Sequence, residues 1–416
     1  MTTKQKLVLH MLTAMPSHNV NRDEDGRPKT AMLGDTLRGR ISSQAKKRAL
    51  RYAGHLPDGQ RAIRTRELAI KLFRDLTKPG DGTLDDTSAA WIALAVNHAI
   101  GAGGKAPDRA EAEEVLAPKK KTDAEERAKR IGKIVDEMQM DEAGATRRAI
   151  EGALGTEQGL VVSTREIAAA DALVARLRAA PAGQKDAVVE AEVEALKQRG
   201  LLDQTSRDLD LALFGRMVAA QPRYNIEAAA SVGHAITTHS FSIEADYFSA
   251  GEELNALEGT GAAITSYGFY GSGVYYQHAV LDYDHLLDKL NGDRALARQG
   301  VELFLHGLVH AQPKGKRNAF ASDTAAIFVI ARRTASATVN LGFAFLEPVK
   351  GADVAKESIK RLREFDAAIS EAYAIDGEAC IFNAYPPARD PNSNTPPPGE
   401  VWTYAALSAF AAGGLT

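Results

Sequence analysis

Apolar and polar positions alternate with period two over Gln5–Thr13, with Leu7, Leu9 and Met11 on one side and Val8, His10 and Leu12 on the other. Two apolar sides predict a strand covered on both faces, at the centre of a sheet. Similar alternation recurs at 209–217 (LDLALFGRM), 233–241 (GHAITTHSF), 273–283 (GVYYQHAVLDY), 325–333 (AAIFVIARR) and 379–385 (ACIFNAY). From 57 to 200 the pattern is instead helical, rich in Ala, Glu, Lys and Leu and broken by Lys78-Pro79-Gly80, Gly101 to Gly104, Pro118 and Pro181. Ser42 or Ser43 can cap a helix running to about Ala53, and further helices are expected at 293–311 and 352–374. Six prolines make 386–400 an extended loop before a short last helix at about 400–411. Strands and helices mixed in this way predict an α+β core with a large helical excursion.

Composition narrows the class. With 416 residues, 44% of them hydrophobic and 25% charged, the chain can bury a sizeable core in two or three folding units. No apolar run reaches the ~18 residues of a membrane span, and the best stretch, Ala89–Ile100, is interrupted by Asn97 and His98. The N-terminal Leu7–Met15 contains His10 and leads into a charged stretch rather than a cleavage site, so a cytoplasmic protein with no membrane partner is expected. Cys380 is the single cysteine; it can form neither an internal disulfide nor a thiolate cluster and reads as a core thiol.

Charge changes the picture most. The formal net charge is −3, yet residues 1–51 hold eleven Lys or Arg against four Asp or Glu, a local balance of +7. On a helix beginning near Ser43, Gln44, Lys47, Arg48 and Arg51 share one arc, while Ala45, Ala49, Leu50 and Ala53 take the other side. Neighbouring cations repel, and an anion would relieve them. Arg22, Lys29, Arg38 and Arg40 on the preceding segment extend the array beyond the size of one phosphate. A row of phosphates fits it; a solvated basic helix without a partner is the plainer alternative.

The stretch PSHNVNRDEDGRPKTAMLGDTLRGRISSQAKKRALR (16–51) resembles the N-terminal signature of the CasC family, the backbone subunit of type I-E CRISPR Cascade complexes within the RAMP superfamily. ALFGRM (212–217), GHAITTHSF (233–241) and Gly271-Ser272-Gly273-Val274 add to the resemblance, which is close over the first fifty residues and over about 206–285. The resemblance implies an RRM-like (ferredoxin-like) palm with inserted helical fingers and a β-hairpin thumb. The palm would comprise 1–56, 206–241 and 273–416, the fingers 57–205 and the thumb 242–272. It further implies a non-catalytic chain that polymerises head to tail along CRISPR RNA and presents the guide to target DNA. Other partners would be the large, small, guide-end and RNA-processing Cascade subunits. Carried over by position, Arg22, Lys29, Arg40, Ser42, Gln44, Lys47, Arg48 and Arg51 would hold the RNA backbone. Arg216 and Met217 would touch bases, and Tyr247 and Phe248 would wedge beside displaced nucleotides.

Two positions depart from the family pattern: Asp35 stands where a second glycine is usual, and Lys46 where an apolar residue is usual. Lys46 is expected to snorkel, with its stem on the core edge and its ammonium in water. The window 241–283 holds nine of the twenty-six aromatic residues, of which Tyr275 and Tyr276 read as core or sheet surface. No cofactor or metal is expected. His234 and His239 lie five apart in a strand-like run, and His306 and His310 have i, i+4 spacing but Gly307 in place of the Glu of H-E-x-x-H. Asp23, Glu24 and Asp25 form an acidic turn. A rival reading makes Asp23, Asp25 or Asp35 the loop acid of an RNA-cleaving backbone protein of type III kind, and a third reading is a protein-only assembly factor.

Overall fold

The computed structural model describes the chain except for residues 1–4, 53–55, 58, 102–105, 204, 206–207, 252–261, 390–391 and 416. The expected helix end at Ala53, most of the glycine breaker at 101–104 and the far part of the expected thumb therefore lie outside the described residues. Two compact units result: Met1–Leu56 with Ala229–Thr416, and Pro57–Ala228. The strands, in chain order, are β1 (Lys6–His18), β2 (Thr30–Leu33), β3 (Thr36–Ile41), β4 (Ile63–Thr65), β5 (Leu160–Val162), β6 (Ala230–Val232), β7 (Ala235–Thr237), β8 (Glu244–Gly251), β9 (Ala262–Asp282), β10 (Phe328–Thr334), β11 (Glu378–Asn383) and β12 (Glu400–Val401).

The first unit is a mixed sheet with helices on it, ordered β12-β11-β10-β1-β9-β7-β3-β2, with β6 and β8 also paired to β9. As its two apolar sides predicted, β1 is central, antiparallel to β10 and to β9. Leu12 stands opposite both Tyr276 and Phe328. These three share a face, where they bury with Leu341, Phe345, Ile359 and Leu362 against the helix Val354–Ala372. Towards the other end of the sheet, the Arg333 guanidinium lies 4.6 Å from the Phe410 ring of the helix Tyr404–Ala412, and the Tyr283 hydroxyl donates to the Ala411 carbonyl at 2.6 Å. That helix packs on Arg294–His310, which packs in turn on Ser43–Arg51.

Leu50 is 2% exposed, a burial that stabilises by roughly 1.5–3 kcal/mol. Its partner is a gap. A Cβ on Gly307 would lie 2.3 Å from Leu50 Cγ and 3.2 Å from Leu50 Cα, so the two helices meet backbone to side chain at a residue without one.

The second unit surrounds the helices Leu68–Thr77, Asp86–Ala99, Thr164–Ala179 and Lys185–Arg199, whose Phe73, Trp91, Leu173 and Val193 form one core. Ser163 and Glu166 make a capping box at the start of the third of these.

Several expected elements change. Residues 209–217, expected as a palm strand, are a helix over Leu209–Phe214 within the second unit. Leu209, Asp210, Leu211, Ala212 and Leu213 are all buried, and a short run buried all round has no period that separates helix from strand. Of the expected strand 233–241 only Ala235–Thr237 pairs, and the last helix starts at Tyr404, after the short strand β12. Conversely β9 is far longer than 273–283. Gly271 and Gly273 hide its continuity in the sequence, because a Cβ at either would strike Phe241 or His239.

Replacing Gly307 with Ala is expected to lower stability by about 1–3 kcal/mol through overpacking against Leu50, despite the better helix propensity of Ala. Urea denaturation of the variant checks this; unchanged stability would mean that the two helices separate at no cost.

Candidate nucleic-acid interface

The charged segment is a tight turn. The Asp23 amide donates to the Arg27 carbonyl at 2.9 Å, the Arg27 amide to Asp23 Oδ1 at 2.8 Å, and Gly26 takes φ +79°. Asp23 thus serves the turn's own backbone, as an Asp in a loop commonly does. Its acidic neighbours Glu24 and Asp25 are exposed. Asn19 Nδ2 holds the turn from beneath through the Gly26 and Phe269 carbonyls, at 2.9 and 2.6 Å.

Asn21 joins this turn to the helix. Its carbonyl accepts the Lys29 amide at 2.9 Å, and its Oδ1 accepts the Ser42 amide at 2.8 Å. Ser42 is the N-cap, accepting the Ala45 amide at 3.2 Å, and it is buried. Its oxygen therefore serves the helix start as an acceptor. Along Ser43–Arg51, Gln44 and Arg48 are exposed and Lys47 and Arg51 half-buried, so the stripe expected from the sequence has one accessible side. Arg48 lies 4.9 Å from the Tyr52 ring centroid. Burial lowers the Lys47 pKa from its ordinary value.

Among the described residues, Arg22, Lys29, Arg40, Lys47 and Arg48 have no carboxylate partner, although ion pairs are frequent elsewhere in the chain. Five cations therefore share one unit without anions of their own.

Other basic residues of the array differ. Arg38 is 0% exposed; its Nη atoms donate to the carbonyls of Thr237, Phe345 and Leu346 at 3.3, 2.8 and 3.2 Å. It clamps β3 to the 3-10 turn Leu341–Phe345 and leaves the expected row. Lys46 does not snorkel: its ammonium is buried and donates to Ala311 O and Gln312 Oε1, both at 3.1 Å. Burial lowers its pKa to about 8. Asp35 follows Gly34 in the two-residue loop between β2 and β3, where only Gly34 has positive φ, +63°. A first-position glycine is what a II′ hairpin requires, so the second position accepts Asp.

Arg216 and Met217 belong to the second unit. Met217 is exposed, but Arg216 is buried, with Nη1 2.8 Å from both Glu166 oxygens, Nε donating to the Tyr224 carbonyl at 3.1 Å and Nη2 to that of Asp203 at 2.7 Å. Each of its three nitrogens is engaged inside this unit, which holds the guanidinium away from solvent rather than offering it to a base.

In the hairpin of β8 and β9, Tyr247 faces Tyr267 and Phe248 faces Ser266. All three aromatic side chains are exposed. Successive strand residues point to opposite sides, so Tyr247 and Phe248 do not form one wedge. Tyr247 shares its side with Tyr267, at 5.3 Å between ring centroids.

Among the described residues no group of three His, Cys, Asp or Glu side chains could hold a metal. His306 and His310 lie near Tyr404, and Cys380 is buried, with its thiol pKa raised by desolvation. No described helix is long and apolar enough to cross a membrane.

The family model described as CT1975-like protein (Cas_CT1975) matches residues 7–395. The chain belongs to this family. No curated protein matches it. Among solved structures, a chain described as "CRISPR RNA-guided surveillance complex, pre-nicking" is similar at TM-score 0.70 and 23% identity, over 99% of this chain and 100% of that one. A second, "CRISPR RNA-guided surveillance complex", is similar at TM-score 0.55 and 18% identity, over 99% and 100%. At these identities the likeness shows a shared fold.

Two residues of the candidate interface escaped the sequence reading of this CT1975-like chain. Tyr267 was visible there only as one aromatic in a crowded window. His234 was set aside with metal ligation, yet its Nδ1 stands 3.1 Å from the Ser43 amide at the head of the basic helix.

The Arg216 arrangement has a direct consequence. Replacing Arg216 with Ala leaves Glu166 buried and unpaired, and is expected to destabilise the helical unit by about 3–5 kcal/mol. Thermal unfolding followed by circular dichroism checks it; a stable variant with weakened RNA binding would return Arg216 to the interface.

Proposed function

We propose that this CT1975-like protein is the repeated, non-catalytic backbone subunit of a CRISPR surveillance complex of type I-E, akin to CasC. In this reading the first unit is an RRM-like palm carrying the hairpin as a thumb, and Pro57–Ala228 are the fingers. Copies assemble head to tail on a CRISPR RNA and present it to target DNA, together with the other Cascade subunits. The observation that carries the reading is the set of cations without carboxylate partners among the described residues, Arg22, Lys29, Arg40, Lys47 and Arg48, on a turn, strand β3 and a helix that are hydrogen-bonded to one another. Phosphate neutralisation is indifferent to base sequence, which lets one protein carry any guide, and specificity passes to base pairing. A head-to-tail interface that does not close on itself yields a filament along the RNA.

The hairpin supports the reading in altered form. Tyr247 with Tyr267 offers an aromatic surface on one side and Phe248 a single ring on the other, and either can stack on a base. Of the acids that the RNA-cleaving alternative would use, Asp23 accepts from the Arg27 amide, Asp35 accepts from the Thr36 hydroxyl at 2.9 Å and Asp25 is exposed, whereas the unpartnered cations support binding.

Replacing Lys47, Arg48 and Arg51 together with Ala is expected to keep the fold and weaken binding of single-stranded RNA. Each lost phosphate contact should lower the slope of log K against log salt by about 0.7. Titrations at several salt concentrations check it: an unchanged slope would show that the stripe does not track phosphates.

A further inference from the structure

His234 lies between β6 and β7, and its backbone is fixed on both sides. The Gly233 amide donates to the His278 carbonyl at 2.8 Å, and Gln277 Nε2 donates to the Gly233 carbonyl at 2.9 Å. A Cβ on Gly233 would come 3.0 Å from the His278 carbonyl oxygen, so the loop can lie this close to β9 only with glycine there. The ring is exposed but oriented, because Nδ1 takes the Ser43 amide at 3.1 Å. To accept this hydrogen, Nδ1 must be bare, which puts the ring's proton on Nε2. Among the described residues, Nε2 has no acceptor. The Arg40 side chain is near, and its buried Nε also lacks a partner. Desolvation, and then the Arg40 charge, lower the His234 pKa, which favours the neutral ring in the free protein.

We infer that His234 is a phosphate ligand of the RNA track, donating from Nε2 beside Arg40 at the positive end of the Ser43–Arg51 helix. This rests on the backbone-subunit reading and adds to it a neutral donor of fixed tautomer. A neutral ligand makes a contact that the cations do not. It releases no counterion when phosphate arrives, so it adds affinity equally at low and high salt. The helix start adds its own partial positive charge at the same place.

Two conservative variants separate the two ring nitrogens. His234→Asn keeps an acceptor where Nδ1 stands, for the Ser43 amide, and loses the donor at Nε2. His234→Gln places an amide donor near Nε2 and loses the acceptor. Binding of a labelled, mixed-sequence single-stranded RNA is measured by fluorescence polarisation across a range of salt. The expected result is that H234N binds about tenfold more weakly at every salt concentration, the order of one hydrogen bond to a charged group, with the wild-type slope, while H234Q stays within about threefold of wild type. H234N binding as the wild type does, or H234Q weakened while H234N is not, would overturn the inference and leave His234 as a cap for the Ser43 helix. Wild-type protein without salt-dependent RNA binding would remove the backbone reading and this ligand together.

Discussion

Three backbone donors at the start of the Ser43–Arg51 helix find three different acceptors. The Ser42 amide goes to Asn21 Oδ1, the Ser43 amide to His234 Nδ1 and the Ala45 amide to Ser42 Oγ. A helix start needs such partners, because its first amides have none within the helix. Here they also join the charged turn, the loop between β6 and β7 and the basic helix into one piece. Lys29 is tied in by its amide to Asn21 and by its carbonyl to the Arg40 amide. The cations therefore stand on a shared hydrogen-bonded frame, and their spacing does not depend on the flexibility of a free loop.

The same residue types are used in opposite ways within a few positions. Arg38 and Lys46 are buried and held by carbonyl and amide oxygens, Arg38 on the 3-10 turn and Lys46 on the segment that follows Arg294–His310. Among the described residues neither forms an ion pair, and desolvation lowers the pKa of each, that of Lys46 to about 8, against a smaller opposing pull of Asp35 on Arg38. These two position the helix and strand, and Gly307 lets the helix approach by leaving room for Leu50. The neighbouring Arg40, Lys47 and Arg48 are left with uncompensated charge on that scaffold. Self-repulsion of this kind costs stability in the free protein, and a polyanion removes the cost.

What could be read from the sequence depended on whether the signal was local. An N-cap at Ser42 or Ser43, the polar stripe of the basic helix and the central place of β1 follow from spacing alone, and the structure has each of them, with the cap at Ser42. Arg216 could not be read this way: its partner Glu166 is fifty residues distant in the chain, and nothing near ALFGRM announces it. Lys46 was similarly out of reach, because its acceptors at Ala311 and Gln312 come from a distant helix end. Phe248 is different. Its opposition to Tyr247 follows from the two-residue period of any strand, and that signal was present in the sequence.

The central claim is that this chain covers RNA in equal steps by holding its phosphates, whatever the bases. Nuclease digestion of a long, mixed-sequence single-stranded RNA saturated with increasing amounts of the protein tests it most directly. The account predicts protected fragments whose lengths rise in equal increments as protein is added, with the same increment on RNAs of different sequence. Protection confined to one sequence, or no protection at any protein concentration, would contradict it.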